Sequence, residues 1–218
     1  MSVSAHQSLG WPDAADAPLE LRSTKTSPYG RKARIAALVL GLADGIAERP
    51  ADTRDPGDDL RQQNPLGKMP CLIVEGQALY DSRVILEYLD AVAGGGRLFP
   101  RDGLARFRCL TRACLADGIT DAALLVAYEG RFRRADQMSD IWLTHQRGKI
   151  ERGLSALAAD LPDPRVTDAA AIALACALGY LDWRQPVQDW RGRYPTIAAW
   201  LAAFAAAEPA FDMTKAPT

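Results

Sequence analysis

The stretch Asn64-Pro65-Leu66-Gly67-Lys68-Met69-Pro70-Cys71-Leu72-Ile73-Val74, followed a few residues later by Tyr80-Asp81-Ser82, decides how this chain is read. It spells a glycine turn, a strand opened by proline, and a short hairpin that delivers an acid and a serine to a helix start. Proline cannot donate to a β-ladder and is tolerated at a strand's first residue, which puts Pro70 at the start of this strand. A cis Met69-Pro70 bond would turn the backbone N–H and C=O of Met69 outward, where an extended peptide can pair with them as an added strand. Asp81-Ser82 precedes Ile85, Tyr88, Leu89 and Val92, an apolar stripe at helical spacing. A serine hydroxyl and the free N–H groups of a helix start therefore face outward together, and such a corner binds a carboxylate.

A peptide-pairing edge beside a carboxylate-binding helix start suits a small peptide with a free carboxylate. In order and spacing these residues resemble the glutathione-binding half of the cytosolic glutathione transferases, where N-P-x-G-x-x-P and acid-Ser elements hold the tripeptide. The resemblance runs from about Leu19 to about Phe211, and within the superfamily it is to the bacterial branch carrying a Ser-Pro-aromatic segment, here Ser27-Pro28-Tyr29. It implies glutathione as co-substrate without a metal, and an electrophilic small molecule that the glutathione thiolate attacks. A homodimer and a cytoplasmic location are also implied. Carried over residue by residue, it makes Ser27 the group that stabilises the thiolate, with Thr26 in reserve. Tyr29, Lys68, Met69, Pro70, Asp81 and Ser82 become the glutathione-binding set.

Read without the resemblance, several of these residues keep a plainer role. Ser27 precedes Pro28, which prefers the first helical position, so Ser27 is an N-cap and its hydroxyl can do no more than cap. With the resemblance, the same hydroxyl hydrogen-bonds the sulfur while the helix end favours the thiolate. Tyr29 lies inside the helix and lines or underlies the pocket. Lys68 is either a solvated charge or a partner for the glycine carboxylate of glutathione. Asp81 caps its helix or accepts the γ-glutamyl ammonium. No cysteine stands at position 27, which disfavours a mixed disulfide with glutathione. Beside conjugation stand two alternatives: a binding or adaptor protein with little turnover, and glutathione-dependent isomerisation, peroxide reduction or dehalogenation on the same thiolate.

Bulk properties fit a small-molecule partner. The chain has 218 residues, 24% of them charged, and a formal net charge of −1, so no global basic field favours nucleic acid or an acidic membrane. Cys71, Cys109, Cys114 and Cys176 show no metal-ligand spacing and, with only His6 and His145 beside them, no histidine-built metal site is expected. Three of the cysteines read as packing residues in a reducing cytosol. No stretch has the length of a membrane span, and residues 1–18 lack the basic start and apolar run of a secretory signal.

The expected fold class is α/β + all-α, with a thioredoxin-like N-terminal domain (βαβ-ββα) followed by an all-helical C-terminal domain. The expected divisions are a flexible extension over residues 1–18, a glutathione-binding domain over 19–93, a linker over 94–103, helices over 104–211 and a tail over 212–218. Pro50 marks the second strand as an edge. In the helical half, Leu104 to about Glu129 forms one long helix with a bend at Gly118. Ile150, Leu154 and Leu157 keep helical step in a second, and Asp168 caps a third that is apolar almost all round. Asp117 and Asp121 share one face of the long helix without a further metal ligand in view. Arg112 and Tyr128 are candidates for the electrophile site, and Arg131, Arg133 and Arg134 read as a solvated loop.

Overall fold

The computed structural model describes residues 19–217; the expected extension at 1–18 lies outside the described residues. Four strands form one sheet in the order β2-β1-β3-β4: β1 Leu19–Ser23, β2 Ile46–Pro50, β3 Cys71–Val74 and β4 Gln77–Tyr80. β1 runs parallel to β2 and antiparallel to β3, which pairs with β4 as a hairpin. Pro50 ends the edge strand β2, opposite Ser23, where its missing N–H costs the ladder least. The crossover from β1 to β2 is α1 (Pro28–Leu40), and α2 (Leu60–Gln63) and α3 (Ser82–Val92) complete a thioredoxin-like domain.

Helix α1 is framed by local chemistry at both ends. Ser27 caps its start with Pro28 at the first helical position, and Gly41, at φ 74°, closes it with Gly41 N–H to Leu38 O and Leu42 N–H to Ala37 O. Gly30 lets this helix start press on the end of β1, because a Cβ there would come within 1.8 Å of Ser23 Oγ.

The connection to the helical half is wound around one carboxylate. Buried Asp90, near the end of α3, accepts the N–H groups of Gly96, Arg97 and Leu98 at 3.0, 3.0 and 2.8 Å. The remaining helices are α4 (Gly103–Phe132), α5 (Asp140–Ala159), α6 (Ala169–Arg184), α7 (Trp190–Arg193), α8 (Pro195–Ala207) and α9 (Ala210–Met213). Asp168 caps α6, accepting the Ala171 N–H at 2.8 Å, and the run Ala169–Leu178 is buried throughout, as an apolar surface on all sides requires. α6 packs on α4 and also on α1, so a single apolar core spans both halves of the chain.

Two local expectations change. α4 continues past its expected end near Glu129, through Gly130 to Phe132. At the C-terminus, α9 carries the helix past residue 211, and buried Thr214 accepts a hydrogen bond from Arg31 Nε at 3.3 Å. The segment 212–218 therefore begins inside a packed element.

Candidate functional site

One cleft of about 1110 Å³ lies between the sheet domain and the helices α4 and α6, and each of Ser27, Tyr29, Lys68, Met69, Pro70, Asp81 and Ser82 lines it. On the sheet side the residues are set by turns. The Met69-Pro70 peptide is cis. Asn64 shapes the approach to it, donating from its side-chain amide to Lys68 O at 2.8 Å and accepting the Leu66 N–H at 3.0 Å. Met69 lies just outside the ladder and makes no backbone hydrogen bond to the described residues. Its sulfur accepts the Thr24 hydroxyl at 3.4 Å, drawing Thr24 to the same rim.

Ser82 opens α3. Its residue is buried, yet its hydroxyl makes no hydrogen bond among the described residues, and it borders the cleft. Asp81 takes φ 72°, ψ 125°, a conformation that costs a non-glycine residue about 1–3 kcal/mol and is held here between β4 and α3. Its carboxylate accepts the Arg83 N–H and pairs with the Arg83 guanidinium at 2.5 Å, and that hydrogen-bonded pairing holds its pKa below the usual carboxylate value. Lys68 is exposed and makes no ion pair among the described residues.

Ser27 is the N-cap of α1, its Oγ accepting the Gly30 N–H at 3.1 Å. Capping uses a lone pair of the hydroxyl and leaves its proton free to donate into the cleft. Thr26, the reserve candidate, is exposed, and its hydroxyl meets that of Thr24 at 3.1 Å.

Two polar side-chain contacts tie α4 to α1. Lys32 Nζ lies 2.6 Å from Asp117 Oδ1 in the interior, and the Tyr29 hydroxyl donates to Asp121. Burial raises the pKa of Asp117 while Lys32 opposes the shift. The Tyr29 phenol is pushed well up, first by burial and then by Asp121. The acids at 117 and 121 are thus both engaged across the cleft, and no group of three or more His, Cys, Asp or Glu that could hold a metal occurs among the described residues. Burial also pushes the thiols of Cys71, Cys109 and Cys176 up to about 11, as packing residues rather than nucleophiles.

Some residues moved from their expected roles. Arg112 pairs with Asp160 at 2.6 Å and does not line the cleft, whereas Tyr128 does. Arg131 and Phe132 belong to the last turn of α4 and line the cleft, because the helix continues past Gly130; Arg133 and Arg134 pair with Glu129 and Asp136. Sequence reasoning missed Lys32, Arg83 and Arg184. The signal for Arg184 was a cation in the last turn of an otherwise apolar helix.

A family model described as glutathione S-transferase, N-terminal domain, matches residues 26–92, which carry these turns. The GST-like protein YibF of Escherichia coli K12, itself uncharacterized, is 39% identical over 178 residues, 79% of this chain and 86% of that one. The chain belongs to the glutathione S-transferase family. Among solved structures, a glutathione transferase family member from Pseudomonas fluorescens Pf-5 with bound glutathione is 43% identical, with a TM-score of 0.84 over 92% of this chain and 100% of that one. The same organism's family member with bound S-(propanoic acid)-glutathione gives 42% identity and a TM-score of 0.81, covering 91% and 100%. This member of the family has no helix among its described residues long and apolar enough to cross a membrane.

Proposed function

We propose that this glutathione transferase binds glutathione along β3 and the start of α3 and directs its thiolate at an electrophilic small molecule held against α4 and α6. One observation carries the reading: the cleft brings together a strand edge with open backbone groups at Met69, an unpartnered hydroxyl at Ser82, an unpaired cation at Lys68 and a capped helix start at Ser27. A peptide with a thiol and free carboxylates meets a donor or acceptor at each. Met69 supplies backbone pairing to the cysteinyl unit beside Pro70, while Ser82 and the N–H groups of α3 receive the γ-glutamyl carboxylate. Lys68 meets the glycine carboxylate. Asp81, kept ionised by Arg83, accepts the γ-glutamyl ammonium. The conjugate bound to the Pseudomonas relative is a thioether of glutathione, which supports carbon–sulfur bond formation as the chemistry.

Ser27 gives the thiolate a donor at the positive end of α1. Lowering a thiol pKa by about two units takes roughly 2.7 kcal/mol of preference for the anion, within reach of one charge-assisted hydrogen bond and a helix end. Tyr29 anchors the opposite wall through Asp121. Rate then comes from thiolate activation and proximity, with no general base required.

The test is Ser27→Ala. Turnover with a generic electrophile should fall about 100- to 1000-fold, with glutathione affinity nearly unchanged and about 1 kcal/mol of stability lost with the cap. Full activity in a variant that only melts earlier would reduce Ser27 to a cap. Glutathione bound without turnover in the wild type would favour the adaptor reading. The assembly is read as a homodimer, supported by exposed apolar side chains at Val84, Leu104 and Phe107 on α3 and α4. Sedimentation should give twice the mass of one chain, and a single-chain mass across micromolar concentrations would refute it.

A further inference from the structure

The helical wall holds more positive charge than glutathione uses. Arg131 and Arg184 both line the cleft there, and neither makes an ion pair among the described residues. The other arginines of the cleft are matched: Arg83 by Asp81 at 2.5 Å and Arg54 by Asp52 at 3.4 Å, an acid that also feels the charge of Arg131 without pairing with it. The acids of this wall are taken as well, Asp117 by Lys32 and Asp121 by the Tyr29 hydroxyl.

Both guanidinium groups lie over aromatic rings. Arg184 lies 3.7 Å from the ring centre of Trp183 and 6.0 Å from that of Tyr180; Arg131 lies 5.4 Å from Tyr128 and 5.3 Å from Phe132. Stacking occupies the face of a guanidinium and leaves its N–H edge available, and that edge fits a carboxylate two bonds at a time. Tyr128 beneath Arg131 and Tyr180 beneath Arg184 line the cleft together with the two cations. An apolar electrophile would gain nothing from them.

We propose that the electrophile accepted here carries its own carboxylate, received by Arg131 and Arg184. The proposal rests on the glutathione reading, with the carboxylates of the tripeptide received on the sheet side and this third one on the helical side.

Calorimetric titration with glutathione, S-propylglutathione and S-(2-carboxyethyl)glutathione tests it without depending on turnover. The wild type should bind the carboxyethyl thioether about 10- to 100-fold more tightly than the propyl one, with the advantage shrinking as salt rises. Arg131→Gln and Arg184→Gln should each reduce the advantage and the double variant abolish it, while Arg184→Lys restores part. Equal affinity for the two thioethers in a wild type that binds glutathione overturns this inference alone. An advantage that survives the double variant also overturns it, by assigning the carboxylate elsewhere. A wild type that fails to bind glutathione removes the underlying reading as well.

Discussion

The two walls of the cleft are made of different materials. The sheet wall presents backbone groups and short polar side chains, at Met69, Asp81, Ser82 and Ser27, each placed by a turn or a helix start. The helical wall presents long side chains, Tyr128, Arg131, Tyr180 and Arg184, carried by the helices α4 and α6. A site made of backbone changes only if the fold changes. Side chains on a helix face can be exchanged while the fold stays. Under the proposed function, glutathione belongs to the first wall and the choice of second substrate to the other. For catalysis the walls must keep their spacing, and the contacts between them are the place to break the arrangement.

The largest effect is expected at Lys32 and Asp117, which join α1 to α4 with side chains only 3% and 9% exposed. Removing one member of a buried pair leaves the other charge without a partner, at a cost of about 3–5 kcal/mol. Lys32→Met should therefore lower the melting temperature by roughly 6–20 °C for a chain of this size. The double change Lys32→Met with Asp117→Leu removes both charges and should recover most of the loss. If thermal denaturation shows the single variant within about 0.5 kcal/mol of wild type, the pair is not what holds the walls together.

That pair also marks where the sequence stops being informative. Pro70, Gly67, Ser82 and Ser27 act on their own neighbours in the chain, through ring closure, left-handed φ or capping, so their spacing alone foretells the sheet wall. Pro50 likewise marked β2 as an edge strand, although residues 46–49 are poor strand sequence. Helical periodicity put Asp117 and Asp121 on one face of α4. It could not say that the face meets α1, because their partners Lys32 and Tyr29 are 85 and 92 residues away. Gly130 misled for a related reason: α4 continues through it to Phe132, past the point where local propensity would end the helix. With α4 ended too early, Arg131 was read into a loop and away from the cleft.

Ser82→Ala sharpens the comparison from the sheet side. Among the described residues the hydroxyl has no hydrogen-bond partner to lose, so the fold should be unaffected, whereas glutathione affinity should drop by about 1–3 kcal/mol through loss of a bond to a carboxylate. Calorimetry measures both. A variant that binds glutathione as wild type does would move the carboxylate away from α3, and a variant that loses stability instead would make Ser82 a structural residue.

The smallest effect is expected at Tyr29, which touches both walls at once. Its ring lines the cleft from α1, and its hydroxyl donates to Asp121 on α4. Tyr29→Phe keeps the ring and deletes only that donor. Asp121 is exposed and water can take the donor's place, so the stability lost should be about 1 kcal/mol, at the low end for a hydrogen bond to a charged group. Glutathione affinity should stay within about 2-fold, because nothing on the sheet wall moves, while kcat falls modestly as the helical wall loosens. A large loss of glutathione affinity with unchanged stability would mean that the phenol contacts the tripeptide directly, making Tyr29 part of the sheet wall's binding set instead of a strut between the walls. Retention of both would leave the spacing to the Lys32 and Asp117 pair and to the apolar packing of α6 on α1.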